Sequence, residues 1–252
     1  MNDITPIKIL GVPVHPYTMK GAVEKILERV SQSKKTFVVT ANAEIIMMGQ
    51  SDDEYMKILN NAALVLPDGA GTVWAGRKLG YEVPERVAGY DLFLNLMTEA
   101  AQMKLKVFFF GSAPGVAEEA KQKCEILYPG VSIVGCRDGY FKEEDNLAIV
   151  EEINNSGADL LFVALGAPKQ EKWLAKFQDI LKPSLLMGIG GSFDVVAGKM
   201  ERAPKWMQDA SLEWLFRLYK QPSRFGRMLV LPKFVIRVLR SKSSKASQTL
   251  TW

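Results

Sequence analysis

Two cysteines, Cys124 and Cys136, are all that the 252 residues contain. They form no CxxC pair, so neither a disulfide framework nor a zinc site is supported, and a reducing cytoplasmic setting is expected. Histidine is scarcer still: His15, in "GVPVHPYT", is the only one. One His without cysteine partners argues against a His-based metal site or a Ser-His-Asp triad, and His15 is expected to serve structure. No run of the ~18 to 20 apolar residues needed to span a bilayer occurs. "MNDITPIKIL" also lacks the basic start and apolar stretch of a secretory signal. Acidic residues are missing after Glu213: that end holds nine Lys and Arg, whereas residues 1–213 set 23 basic side chains against 28 acidic ones. The net charge of +4 therefore joins an acidic body to a basic end.

What is present is ordinary for a globular chain, 48% hydrophobic and 24% charged. Short apolar runs rich in β-branched and aromatic residues alternate with segments of helical period. That alternation predicts an α/β fold over residues 1–200: a mostly parallel, Rossmann-like sheet with helices on both faces. "IKILGVPV", "KTFVVTAN", "ALVLPDG", "KVFFFGSAPG", "VSIVGCRDGYF", "ADLLFVALGAPKQ" and "SLLMGIGGSFDVVAG" read as strands. Helices are expected at about 17–32, 44–61, 70–79, 90–104, 115–128, 143–155 and 169–181. Residues 201–252 read as a separate appendage of short amphipathic helices broken at Pro222 and Pro232, with Trp206, Leu212, Leu215, Leu218 and Tyr219 at helical spacing among the basic residues. Such a stripe suits docking on a core or lying at an anionic membrane surface. Its apolar content and the acidic body argue against nucleic acid as partner, and it is compatible with a homo-oligomer.

In open α/β sheets, ligands gather outside the carboxyl ends of the strands. The residues there are Thr40 and Asn42, Asp68, Gly111 and Ser112, Gln170, and Gly190 and Asp194. "FFFGSAPG" offers backbone N–H groups at a helix start for a phosphate, but it is neither GxGxxG nor a Walker A loop, which weakens the case for a dinucleotide oxidoreductase or an NTPase. Asp68 and Asp194 are both placed to act as a general base toward a hydroxyl, and Asp68, in Pro67-Asp68-Gly69, equally fits plain turn chemistry. Arg86 suits an acidic ligand or a surface ion pair. Gln170 suits a sugar hydroxyl or a helix cap.

The ordered set "TANAE", "LPDGAG", "ERVAGYDL", "FFFGS" with "GVAEEA", "GAPKQE", "GIGGSFDVVAGKMERAPKW" and "SLEWLFRL" with "QPSRFGRM" resembles the WecG/TagA/CpsF glycosyltransferase family over about residues 8–240. It is most similar to the TagA branch, which builds the linkage unit of wall teichoic acid. The resemblance implies inverting transfer of N-acetylmannosamine from UDP-ManNAc to undecaprenyl-diphosphate-linked GlcNAc, forming a β-1,4 bond with no essential metal or other cofactor. A related UDP-hexosamine or uronate transferase is the alternative. It also implies that Asp68 is the catalytic base, that Arg86 and Gln170 matter for activity, and that Thr40 and Asn42 lie near donor and acceptor. Arg217, Arg224 and Arg227 would stabilise the departing diphosphate. The appendage would close over the active site and hold the protein on the inner face of the cell membrane.

Overall fold

A computed structural model describes residues 4–210, 212–220, 226 and 229–248, with the backbone alone described for Asp209, Arg217 and 242–248. The first apolar run departs from expectation. "IKILGVPV" is a separate antiparallel hairpin of β1 (Ile7–Ile9) and β2 (Val12–Val14), not a strand of the main sheet. Leu10 and Gly11, both at positive φ, make its two-residue turn. His15 then fastens the hairpin to the sheet: its backbone N–H donates to Val65 O at 2.7 Å, and its ring Nδ1 accepts from Val65 N–H at 3.1 Å. The single histidine is thus structural.

The main sheet comprises β3 (Thr36–Ala41), β4 (Leu64–Pro67), β5 (Lys106–Gly111), β6 (Ser132–Arg137), β7 (Leu160–Ala164) and β8 (Leu185–Gly188). All pairings are parallel, in the spatial order β4-β3-β8-β7-β5-β6. Side chains alternate between two buried faces, which is why the strands read as continuous apolar runs. Phe108, Phe110, Leu161 and Val163 point to one core, while Val107, Phe109, Leu160 and Phe162 point to the other. The second core includes α1 (Met19–Ser31), α5 (Gly89–Met103), α6 (Val116–Leu127) and α9 (Ser192–Val196). The first includes α2 (Ala43–Gly49), α3 (Asp53–Asn61), α4 (Gly69–Lys78), α7 (Asn146–Asn155) and α8 (Lys169–Phe177). Cys124 fills space inside α6, where burial pushes its thiol up to about 12, and both cysteines are free.

The helix expected at 44–61 is two helices. Asp52 accepts the Tyr55 N–H at 2.9 Å and so caps a new start after Gly49. The C-terminal region supplies α10 (Lys205–Asp209), α11 (Glu213–Lys220) and α12 (Val230–Gln248). Pro232 does not break α12 as expected. It is the third residue, where a backbone N–H would lack a helical partner in any case. Pro222 lies outside the described residues. α12 packs against α2 and α4, and Phe234 and Val238, one turn apart, are 1% and 0% exposed in the first core. Its opposite side leaves Val235, Ile236 and Leu239 exposed beside Lys233, Arg237 and Arg240. Among the described residues no helix is long and apolar enough to cross a membrane.

Because Phe234 completes a core shared with the sheet, Phe234→Ala is expected to destabilise the whole domain by about 3 kcal/mol. Urea unfolding followed by circular dichroism checks this, and an unchanged midpoint would show that α12 is not part of the cooperative unit.

Candidate active site

The chain leaves β3 for α2 on one face of the sheet and leaves the adjacent β8 for α9 on the other. Such divergence opens a crevice at the carboxyl ends of neighbouring strands. Here it is a cleft of about 580 Å³ lined by Thr40, Asn42, Asp68, Gly89, Tyr90, Gly166, Gln170, Gly188, Gly190, Arg202 and Glu213 among others. Four sequence-predicted residues therefore come together with Asp68: Thr40, Asn42, Gln170 and Gly190.

Asp68 occupies the N-cap position of α4, yet its side chain does not cap that helix. Instead Gly89 N–H, at the start of α5, donates to Asp68 Oδ2 at 3.3 Å. The half-buried carboxylate thus sits at the positive ends of two helices while facing the cleft. Turn chemistry explains the backbone of Pro67-Asp68-Gly69 and leaves the carboxylate's direction unexplained. Close packing fixes the neighbourhood: a Cβ on Gly89 would stand 2.6 Å from Thr40 Oγ1. Asn42 caps α2 by accepting the Ile45 N–H at 3.0 Å through Oδ1, so its amide nitrogen remains available as a donor at the cleft.

Gln170 is 4% exposed and engaged at both ends of its amide. Its Oε1 accepts Gly190 N–H at 3.0 Å, and its Nε2 donates to Glu171 Oε1 at 2.7 Å. It lies in the space that the absent side chain of Gly188 leaves, since a Cβ there would come within 2.5 Å of Nε2. Glu171, 2% exposed, also accepts from the Tyr55 hydroxyl at 3.1 Å. A buried network from α3 through α8 thus holds the glycine turn after β8 that forms one wall of the cleft. Sequence reasoning weighed Gln170 and missed Glu171; a carboxylate next to a motif glutamine, on the inward side of an amphipathic helix, was the available signal.

Other predicted residues lie elsewhere. Ser112 Oγ donates to Asp194 Oδ2 at 3.1 Å, joining the ends of β5 and β8 outside the cleft's lining, with Gly111 beside them. Asp68, not Asp194, is the predicted base that faces the cleft. Arg86 pairs with Glu213 at 3.3 Å, and it is Glu213 that lines the cleft. Arg217 falls in α11 with its side chain undescribed, and Arg224 and Arg227 lie outside the described residues. The cleft's evident cation is one that sequence reasoning did not single out. Arg202 forms a bidentate pair with Asp91 at 2.6 and 2.7 Å and lies 4.8 Å above the Tyr90 ring. Its signal was position, in "GKMERAPK", where the chain returns across the strand ends after α9. Among the described residues no group of three His, Cys, Asp or Glu is arranged to hold a metal ion.

Burial raises the Glu171 carboxyl above its ordinary 4.5, opposed by hydrogen bonds from Gln170 and Tyr55. The folded state then keeps a proton that the unfolded chain releases above pH 4.5, so Glu171 subtracts stability as pH rises from there toward its folded value. Glu171→Gln is expected to remove that slope. Urea midpoints measured from pH 4.5 upward should show the variant gaining on the parent as pH increases, and a pH-independent difference would count against a proton held there.

The sequence matches the glycosyl transferase WecG/TagA/CpsF family over residues 7–248. It is 39% identical over 222 residues to the N-acetylglucosaminyldiphosphoundecaprenol N-acetyl-beta-D-mannosaminyltransferase of Bacillus spizizenii, covering 88% of this chain and 86% of that protein. The protein of the same name from Bacillus subtilis is 35% identical over 216 residues, covering 86% and 84%. With the match running from the first strand into the last helix, the chain belongs to the WecG/TagA/CpsF glycosyltransferase family.

Proposed function

We propose that the enzyme transfers N-acetylmannosamine from UDP-ManNAc to the 4-hydroxyl of undecaprenyl-diphosphate-linked GlcNAc, a step in making the wall teichoic acid linkage unit. The observation that carries the chemistry is Asp68: a carboxylate at the end of β4 that faces the cleft without capping its own helix. In the reaction the acceptor oxygen attacks the anomeric carbon as its proton passes to Asp68. The bond from that carbon to the β-phosphate oxygen breaks, UDP departs with the electron pair, and the configuration inverts. The choice of sugar and acceptor rests on the names of the two Bacillus relatives. Arg202 and the C-terminal arginines Arg217, Arg224 and Arg227 would offset the charge growing on UDP, a role that metals fill in many sugar-nucleotide transferases. Thr40 and Asn42 would position the hydroxyls, and Gln170 would act through the Gly190 turn rather than at the reacting atoms.

The same reading places the protein as a peripheral enzyme on the inner membrane face. α12 supports it: one side is seated in the core, and the other carries Val235, Ile236 and Leu239 among three basic residues. Apolar and basic groups on one exposed helix face suit an anionic leaflet.

Asp68→Asn is expected to lower kcat by about a thousandfold while UDP-ManNAc binding persists, and EDTA is expected to leave the parent rate unchanged. Assays with a short-chain polyprenyl-diphosphate-GlcNAc decide both points; substantial turnover by the variant would remove Asp68 from the mechanism. Ile236→Asp is expected to reduce co-sedimentation with vesicles containing anionic lipid by about tenfold while the fold is retained, and undiminished binding would place the membrane contact on another surface.

A further inference from the structure

Beside the reaction cleft lies a second groove, of about 800 Å³. One wall is a continuous stripe of α4, formed by Ala70, Val73, Trp74, Arg77 and Lys78 at helical spacing. Lys205 of α10 lines it too, and Arg86 belongs to the same lining. The stripe begins two residues after Asp68 and runs roughly 12 Å along the helix at 1.5 Å per residue.

The boundary between groove and cleft is built from two ion pairs. Arg86 lines the groove and its partner Glu213 the cleft; Asp91 lines the groove and its partner Arg202 the cleft. The groove has a cationic surplus, with Arg77, Lys78, Arg86 and Lys205 against Glu85 and Asp91. Both acids are engaged, Asp91 by Arg202 and Glu85 by the Met19 N–H. Arg77 and Lys78 in the last turn of α4 complement the negative end of that helix.

We propose that this groove binds the diphosphate of the lipid-linked acceptor, with Val73 and Trp74 beneath the GlcNAc ring that separates it from Asp68. The inference rests on the transferase reading above, in which both substrates carry a diphosphate and the cleft at Asp68 must hold the donor's. An acceptor hydroxyl delivered to Asp68 leaves its own diphosphate on the far side of the GlcNAc ring, and the groove runs from that carboxylate's end of α4. Its other wall is formed by Lys205 and Gln208 of α10. A diphosphate there meets Lys78 and Lys205 as charge-assisted contacts.

Lys78 is exposed, so its replacement leaves the fold intact. Lys78→Ala and Lys205→Ala are each expected to raise KM for a short-chain polyprenyl-diphosphate-GlcNAc about fivefold, with KM for UDP-ManNAc unchanged and the double variant departing from the product of the two because both lysines meet one diphosphate. A binding readout separates this proposal from the reaction itself. Titrating full-length Asp68→Asn with the same lipid analogue should change tryptophan fluorescence, and the change should be lost in Asp68→Asn with Trp74→Phe. UDP-ManNAc titrated into the same protein should leave the Trp74 signal unmoved. A rise in donor KM equal to that for the acceptor, a Trp74 response to the donor, or acceptor binding indifferent to Lys78 and Lys205 would each overturn the assignment. If no sugar is transferred under any condition while the analogue still binds through Trp74, the transferase reading fails and the groove stands as a lipid-diphosphate site.

Discussion

A parallel sheet packed on both faces leaves its strands almost no room for polar side chains, and this constraint organises the rest of the molecule. Phe108, Phe109 and Phe110 show it in three successive residues, each buried and alternating between the two cores. Functional groups are pushed to the carboxyl ends, where the chain turns and backbone N–H groups at helix starts lack internal partners. Aromatic packing makes that platform firm: Phe109 and Phe193 rings lie 4.5 Å apart, and Phe110 and Trp173 rings 4.9 Å. The first contact anchors α9 and the second α8, the two helices that follow the turns forming the cleft wall.

On this platform the site separates a fixed part from an adjustable one. The Tyr55, Glu171 and Gln170 network is buried and internally satisfied, and it ends on the backbone of Gly190. Burying a carboxylate is costly unless its oxygens are hydrogen-bonded, and here the donors come from two different helices. The adjustable part is electrostatic. Arg86 with Glu213 and Arg202 with Asp91 tie the segment after α9 to the body, and Lys220 with Glu201 joins two parts of that segment at the surface. Of these, Lys220 with Glu201 is the exposed pair that contributes little to stability, whereas Arg202 holds Asp91 through two short bonds.

The fold was legible because its two periods are unmixed: apolar runs mark the strands, and helical spacing marks what joins them. The first run misled because a two-residue turn at Leu10 and Gly11 is short enough to be read as a continuous strand. The helix at 44–61 misled because Asp52, the capping residue that restarts it, also reads as an exposed helical residue. At the site, Asp68, Thr40, Asn42 and Gln170 were legible through their position at strand ends. Glu171 and Arg202 carried only a hint of position, since their partners lie 116 and 111 residues away in sequence. No local pattern names such partners. The ion pair that draws Arg86 to Glu213 was equally invisible for the same reason.

The seat of α12 has a mechanical consequence. Its inner side chains belong to the same packed interior as α2 and α4, whose first residues follow Asn42 and Asp68. The helix therefore cannot swing out on a tether to find a surface; the whole body must travel with it. Any sheet of molecules that its outer side touches is held at a set height from Asp68, so the seat acts as a gauge on how far a substrate anchored in that surface has to reach.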